Sequence, residues 1–131
     1  MKTPNVGEFM THLPEEIDGR ETLDVAIQLM REKGIRHLPV MEHMQVVGVL
    51  SDRDIKFAMA LLGKKGGEIL VREVCSDEIY VVSPRTSVRE VAEHMLETKA
   101  GSAMVKDGDY LVGIFTTSDA LRALVSMCHA V

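Results

Sequence analysis

The stretch GVLSDRD, residues 48–54, is matched later in the chain by GIFTTSD, residues 113–119. Each stretch begins with glycine and two apolar residues, and each has a hydroxyl residue followed three positions later by aspartate. The two glycines are separated by 113 − 48 = 65 residues. At this offset the apolar pattern of the first half falls on that of the second half. The sequence therefore predicts one structural unit that is used twice, over residues 1–64 and 65–131.

The first helix of each copy is predicted by apolar residues at helical spacing. In the first copy, Thr22 is a candidate N-cap and Gly34 a candidate helix stop. In the second copy, Ser87 and Glu90 have the spacing of a capping box. A second helix is expected to follow Ser51 in the first copy and Thr116 in the second.

The strands are predicted by short apolar runs, and the order in each copy is β-α-β-β-α. A short strand is expected before each first helix, at EIYVV (78–82) and more weakly around Ile17. The connector GKKGGE (63–68) is predicted to be a flexible, solvated linker. The fold class is therefore α/β (α+β). The hairpin strands are LPVM (38–41), VVGVL (46–50), SAMV (102–105) and YLVGIF (110–115).

Composition limits the class of protein. The chain has 131 residues, 46% apolar and 27% charged, which is typical of a globular protein. A net charge of −5 with two tyrosines, three phenylalanines and no tryptophan argues against a nucleic-acid protein. No apolar run reaches the length of a membrane span, and the first ten residues lack a signal core, so we expect a cytoplasmic protein. Cys75 and Cys128 are expected to be reduced.

The hydroxyl-x-x-Asp pattern has two interpretations. A Ser or Thr that opens a helix accepts a hydrogen bond from a backbone N–H, and an acidic residue one turn in favours the positive helix end. On this interpretation Ser51 with Asp54, and Thr116 with Asp119, are helix caps. Alternatively, the same helix end binds phosphate while the carboxylate accepts both hydroxyls of a ribose. The spacing alone does not choose between a cap and a ligand site.

The run GIRHLPVMEHMQVVGVLSDRDI (34–55) resembles the second half of a cystathionine-β-synthase (CBS) domain. That family combines an HLPV strand, a turn, and VG followed by two apolar residues, Ser or Thr, two residues and Asp. SPRTSVREVAEHM (83–95) and YLVGIFTTSDAL (110–121) resemble the pattern in the second copy. VGEFMT (6–11) and VREVCS (71–76) resemble the start of the family's domain. The chain is thus similar to a free-standing CBS pair, a Bateman module of tandem repeats with pseudo-two-fold symmetry.

The resemblance implies ligand sites in clefts between the two repeats. It places Ser51 and Asp54, and likewise Thr116 and Asp119, at the phosphate and ribose positions. The strand that lines the base and phosphate region is matched in the first copy by Ile35, Arg36, His37 and Pro39, whereas the second copy has Gly101 and Ser102 there. Because the second copy has no Arg, His or Pro there, we expect two sites of unequal chemistry. Arg53 adds to the difference, since it could neutralise a phosphate and its counterpart Ser118 could not.

The leading hypothesis is a non-enzymatic regulatory module that binds AMP, ADP, ATP or S-adenosylmethionine. The resemblance also implies a homodimer and a regulated partner such as an enzyme or transporter. The alternative is a constitutive dimerisation or interaction module without a nucleotide ligand, and a third hypothesis is an enzyme acting on nucleotides. No catalytic set can be argued from spacing. No metal site is predicted either, although His37 and His43 could face each other across the first hairpin.

Overall fold

The computed structural model describes residues 3–12 and 14–129. Within this part of the chain, seven strands alternate with four α-helices, and three short 3-10 turns lie at Val6–Glu8, Gly66–Glu68 and Val71–Glu73. The strands are β1 (Thr11–His12), β2 (Ile17–Asp18), β3 (His37–Glu42), β4 (Gln45–Ser51), β5 (Val81–Val82), β6 (Ser102–Asp107) and β7 (Tyr110–Thr116). The helices are α1 (Leu23–Lys33), α2 (Asp52–Leu62), α3 (Val88–Thr98) and α4 (Thr117–His129). The predicted α/β class and the twice-repeated β-α-β-β-α order are confirmed.

The chain divides into two compact units. One is Glu15–Ile79, and the other combines Met1–Pro14 with Tyr80–Val131. The division of the sequence into repeats 1–64 and 65–131 stays a prediction, because the compact units follow a different division. The segment that opens each sequence copy, 6–11 or 71–76, belongs to the unit that contains the helices and hairpin of the other copy.

The unit Glu15–Ile79 is built on a three-stranded sheet in the order β2-β3-β4. β2 runs parallel to β3, and β3 pairs antiparallel with β4. Helix α1 buries Leu23, Ala26 and Met30 because these residues recur on one helical face. They pack with sheet residues such as Leu38 and Val40, which are fully buried. A buried aliphatic side chain of this size contributes about 1.5–3 kcal/mol to stability.

The unit of Met1–Pro14 with Tyr80–Val131 has a four-stranded sheet in the order β1-β7-β6-β5. Its core contains Val6 from the first 3-10 turn, Val91 from α3, Phe115 from β7 and Ala123 from α4. β1 pairs antiparallel with β7, with His12 opposite Gly113. β1 was not predicted, because two polar residues have no strand pattern of their own.

The observed helix ends agree only in part with those predicted from the sequence. The Ser87 hydroxyl accepts a hydrogen bond from the Glu90 N–H at 3.1 Å, and Gly34 ends α1 in the left-handed conformation with φ of 65°. Thr22 occupies the N-cap of α1, but its side chain makes no capping hydrogen bond, so the predicted cap is wrong in that respect. Lys99 ends α3 with φ of 64°, where glycine would be the usual residue.

The connector 63–68 is more ordered than predicted. Gly66 is buried in a 3-10 turn that packs on α1, and a Cβ at this position would collide with the Asp24 side chain. Lys64 and Lys65 are exposed, as expected of solvated lysines. The prediction of a flexible linker is therefore wrong for the second half of this segment.

Both copies of the glycine in the opening motif lie against an incoming backbone. In the unit Glu15–Ile79, Val49 and Ser76 exchange two backbone hydrogen bonds of 2.9 Å. A Cβ on the neighbouring Gly48 would lie 2.6 Å from the Ser76 carbonyl oxygen. In the other unit, a Cβ on Gly113 would lie 2.5 Å from the Met10 sulfur and 3.0 Å from the Thr11 carbonyl oxygen.

We expect Gly48→Ala to lower the free energy of unfolding by about 1–3 kcal/mol, and Gly113→Ala to lower it by less. The nearest obstacle at Gly48 is backbone, whereas the nearest one at Gly113 is a flexible methionine end. Chemical denaturation of the wild type and both variants measures the difference. Equal losses, or a larger loss for Gly113→Ala, would contradict the close approach at Ser76.

Candidate functional site

The first candidate site lies at the junction of β4 and α2, in the unit Glu15–Ile79. Ser51 ends β4 in an extended conformation, and its hydroxyl accepts a hydrogen bond from the Asp54 N–H at 3.0 Å. The predicted cap at Ser51 is therefore confirmed. Because the hydroxyl caps the helix, the Asp54 carboxylate is not needed for that purpose. This carboxylate is half-buried and makes no hydrogen bond or ion pair within the described residues.

The start of β3 lies beside this junction. His37 pairs with Ser51 in the antiparallel ladder, and the Asp52 N–H donates to the Arg36 carbonyl at 2.9 Å. The structure thus brings together Arg36, His37, Ser51 and Asp54, as the sequence predicted. Their positions are fixed by backbone pairing of the two strands.

The other predicted residues of the first site fall into two groups, one exposed to solvent and one packed in the interior. Arg36 and Arg53 are exposed, so their guanidinium groups are available to a ligand. Pro39 is buried in the ladder opposite Val49, and Ile35 packs against the hydrophobic core of the unit. In this structure Ile35 and Pro39 therefore serve packing, and their predicted contact with a ligand stays a prediction.

Burial lowers the pKa of the His37 imidazole below its ordinary value of 6.5. The negative charge of Asp54 is the largest influence in the opposite direction, with Arg36 lowering the pKa and Asp52 raising it. His37 is therefore a neutral hydrogen-bonding group at neutral pH.

The second candidate site lies at the junction of β7 and α4, in the unit that contains Tyr80–Val131. Thr116 pairs with Ser102 across the β6–β7 ladder, and the Thr117 N–H donates to the Gly101 carbonyl at 3.3 Å. Ser102 is buried and Ser118 is exposed. The structure thus brings together Gly101, Ser102, Thr116 and Asp119, with Ser118 on the outer side of the first helical turn.

At the second junction the aspartate carboxylate accepts the hydrogen bonds, whereas at the first junction the serine hydroxyl accepts. Asp119 Oδ2 accepts the Thr116 N–H at 2.8 Å and the Thr116 hydroxyl at 3.3 Å. The predicted cap, in which the Thr116 hydroxyl accepts from a helix N–H, is therefore wrong, since this hydroxyl donates. Asp119 Oδ1 accepts from Arg122 Nη2, and Asp119 is completely buried.

Arg122 is the residue that the sequence analysis missed at this site. The signal was available, because an acidic and a basic residue three positions apart on a helix lie within reach of each other. The position 65 residues earlier is Phe57, so the first copy lacks this cation. The expectation of unequal sites rested on the absence of counterparts to Arg36, His37 and Pro39 in the second copy and on Arg53 against Ser118. The ion pair of Arg122 is a further difference.

Other predicted features lie apart from the two junctions. His37 begins β3 and His43 follows its other end, so the two imidazoles lie at opposite ends of that strand. Cys75 and Cys128 are both free thiols, and burial is the main cause that raises the pKa of Cys75. In the described part of the chain, no helix is long and apolar enough to cross a membrane.

We expect an NMR titration to place the pKa of His37 below 6.5 and Asp54→Asn to lower it further, because the Asp54 charge favours the protonated ring. Asp52→Asn is the control and should lower the pKa less. The unfolded chain takes up this proton at a higher pH than the folded one. His37 therefore makes the free energy of unfolding fall as the pH drops below about 6.5. An unchanged or raised pKa in Asp54→Asn would contradict the proximity of the two groups.

Comparison with known sequences gives a family match over most of the chain. The model of the CBS domain matches residues 6–61 and again residues 71–126. An uncharacterised 33.4 kDa protein of Thermofilum pendens is 32% identical over 115 residues, which are 87% of this chain and only 37% of that protein. Hypoxic response protein 1 of Mycobacterium tuberculosis is 34% identical over 105 residues, 79% of this chain and 73% of that protein.

Solved structures share the fold. A putative acetoin utilization protein (AcuB) from Vibrio cholerae is 28% identical with a TM-score of 0.89, covering 99% of this chain and 98% of its own. CBSX2 in complex with AMP, a protein known from Arabidopsis thaliana, is 30% identical with a TM-score of 0.77, covering 95% and 98%. The hexameric CBS-CP12 protein from bloom-forming cyanobacteria is 30% identical with a TM-score of 0.84, covering 92% and 72%.

One solved relative contains metal. Hypoxic response protein 1 has been solved with two coordinated zinc ions, at 28% identity and a TM-score of 0.77, covering 90% of this chain and 97% of its own. Within the described residues of the present chain, no three His, Cys, Asp or Glu side chains are grouped so that they could hold a metal ion.

Proposed function

The chain belongs to the CBS domain family, of which it carries two copies, and we propose that this pair is a non-enzymatic regulatory module that senses an adenosine nucleotide. The candidate ligands are AMP, ADP, ATP and S-adenosylmethionine. The nucleotide binds at the β4–α2 junction, where its ribose contacts Asp54. Its presence biases how the module engages a regulated enzyme or transporter.

The carboxylate of Asp54 is the observation that carries this proposal. It is half-buried, it lies near the neutral imidazole of His37, and it has no hydrogen-bond partner among the described residues. A carboxylate has two oxygens with about four acceptor sites, which suits the two adjacent hydroxyls of a ribose. Neither Asp54 oxygen is buried without a partner, so both are open to the hydroxyls of a ligand.

The surroundings of Asp54 favour the phosphate of the same ligand. The N-terminal end of α2 carries a partial positive charge, which stabilises an anion. Arg36 and Arg53 are exposed beside this end and add two guanidinium groups that suit phosphate. The opposing charge of Asp52 is partly neutralised by Lys56, whose Nζ lies 3.1 Å from the carboxylate.

The likeness to CBSX2 supports an adenine nucleotide as the ligand, because that protein was solved with AMP. The uncharacterised protein of Thermofilum pendens and the AcuB protein are neutral on this point, since their names state no nucleotide. AMP is therefore the first ligand to test on this chain.

We expect titration calorimetry to show AMP binding to the wild type, with Asp54→Asn weakening it by about ten- to a hundredfold, the loss expected when charged hydrogen bonds to a ligand are removed. Ser51→Ala should weaken it less, since Ser51 acts mainly as a helix cap. Asp109→Asn is the matched control, because Asp109 is exposed in the β6–β7 turn. ADP, ATP and S-adenosylmethionine are titrated in parallel. The proposal fails if none of the four binds more tightly than about 1 mM, roughly 4 kcal/mol.

The alternative function, a constitutive interaction module without a nucleotide, is favoured by exposed apolar side chains on two helices. Phe57 and Leu61 of α2 are 68% and 72% exposed, and Leu121, Leu124 and Val125 of α4 are 54–66% exposed. Apolar side chains that cluster on one exposed helix face, as Leu121, Leu124 and Val125 do by their spacing, are typical of an interaction surface. A thermal-shift assay separates the two functions. A specific ligand at about 100 times its dissociation constant adds about 2.7 kcal/mol of stability, and a constitutive module shows no such gain.

We propose further that the partner surface is a second copy of the chain, seated on the exposed face of α4. Sedimentation velocity should then give twice the 14.5 kDa mass of one chain. Leu124→Glu places a charge in this face and should give monomers, whereas Gln45→Glu, at the exposed start of β4, should leave the dimer intact. A monomeric wild type, or a Leu124→Glu variant that remains dimeric, would rule out this interface.

A further inference from the structure

We propose that Arg122 is a specificity-determining residue that prevents Asp119 from binding a ribose, so that the chain takes up its nucleotide at Asp54 and not at Asp119. The inference rests on the proposed function, since it concerns which of the two hydroxyl-x-x-Asp motifs serves the ligand. It depends on three observations, namely the hydrogen bonds of Asp119, the position of Arg122, and the residue that replaces Arg122 in the first copy.

Both oxygens of Asp119 are already engaged. Oδ2 accepts the backbone N–H and the hydroxyl of Thr116, at 2.8 and 3.3 Å, and Oδ1 accepts from Arg122 Nη2. The residue is also 0% exposed. A ribose could reach this carboxylate only if the groups that cover it moved away.

Exchange of Arg122 for a ribose is unfavourable. The guanidinium of Arg122 brings a full positive charge to Asp119, whereas ribose hydroxyls bring none, so the exchange would give up an ion pair. Removing the cation would also leave the buried Asp119 carboxylate without a counter-charge, which is unfavourable. Two neutral hydroxyls therefore do not replace the bond that Arg122 makes.

The first copy has the opposite arrangement. The residue three positions after Asp54 is Phe57, which carries no charge and is 68% exposed. The helix is capped by the Ser51 hydroxyl, so Asp54 is not used to cap its own helix. The same backbone motif thus presents an accessible acceptor in one unit and a neutralised one in the other.

Arginine at position 57 should reproduce in the first copy what Arg122 does in the second. We compare Phe57→Arg with Phe57→Gln, because both remove the same exposed apolar side chain and only one adds a cation. Both are surface substitutions and should fold. Titration calorimetry should show AMP binding weakened by about ten- to a hundredfold in Phe57→Arg relative to Phe57→Gln. Equal affinities in the two variants would overturn the inference.

The reciprocal change removes the cation from the second copy. Wild type is expected to bind one AMP per chain, Arg122→Lys to do the same, and Arg122→Gln to bind a second AMP. Binding of two AMP per wild-type chain, with one lost in Asp119→Asn, would overturn the inference while the proposed function stands. If Arg122→Gln does not fold, the comparison of Phe57→Arg with Phe57→Gln tests the inference by itself.

The ribose hydroxyls are tested directly with 2′-deoxy-AMP. It should bind to wild type more weakly than AMP and to Phe57→Arg about as weakly as AMP does, because the carboxylate is then neutralised. Equal binding of the two nucleotides to wild type would overturn the inference. If neither nucleotide binds to wild type or to Phe57→Gln, the proposed function fails and the inference fails with it.

Discussion

The close approach of two backbones at Gly48 fixes the geometry of the first candidate site. Val49 and Ser76 exchange hydrogen bonds of 2.9 Å in both directions, so the outer side of β4 is held just before the strand ends. The inner side is held by the β3 ladder, and the Asp52 N–H then bonds to the Arg36 carbonyl. Because backbone groups carry this positioning and the Ser51 hydroxyl caps the helix, the Asp54 side chain remains available for other contacts.

In the other unit the glycine also lies against an incoming backbone, but the aspartate makes different hydrogen bonds. Gly113 lies against Met10 and Thr11, and β7 is paired on both sides, by β1 and β6. At its end, however, the aspartate accepts from the threonine, whereas in the first unit the serine accepts from the aspartate N–H. Both arrangements satisfy a donor at the junction of strand and helix. Only the first leaves the carboxylate without a partner among the described residues.

Hairpins, helices and their order could be predicted from periodicity, because each buries one face and the 65-residue offset shows the pattern twice. The composition of the compact units could not. Segments 6–11 and 71–76 carry similar sequences, and nothing local specifies which strand edge each one joins. The sequence also could not predict whether the Thr116 hydroxyl donates or accepts, since a hydroxyl can do both. Arg122 lies one helical turn beyond Asp119, outside the hydroxyl-x-x-Asp motif.

A carboxylate at the start of a helix can complete its own helix end or receive a ligand, but the same lone pairs cannot do both. In this chain the choice depends on two neighbours, the hydroxyl residue three positions before the aspartate and the residue three positions after it. Ser51 with Phe57 leaves Asp54 accessible, whereas Thr116 with Arg122 engages Asp119 from both sides. The shared spacing of the motif therefore specifies the backbone, and the flanking turn of the helix determines whether the carboxylate is available for chemistry.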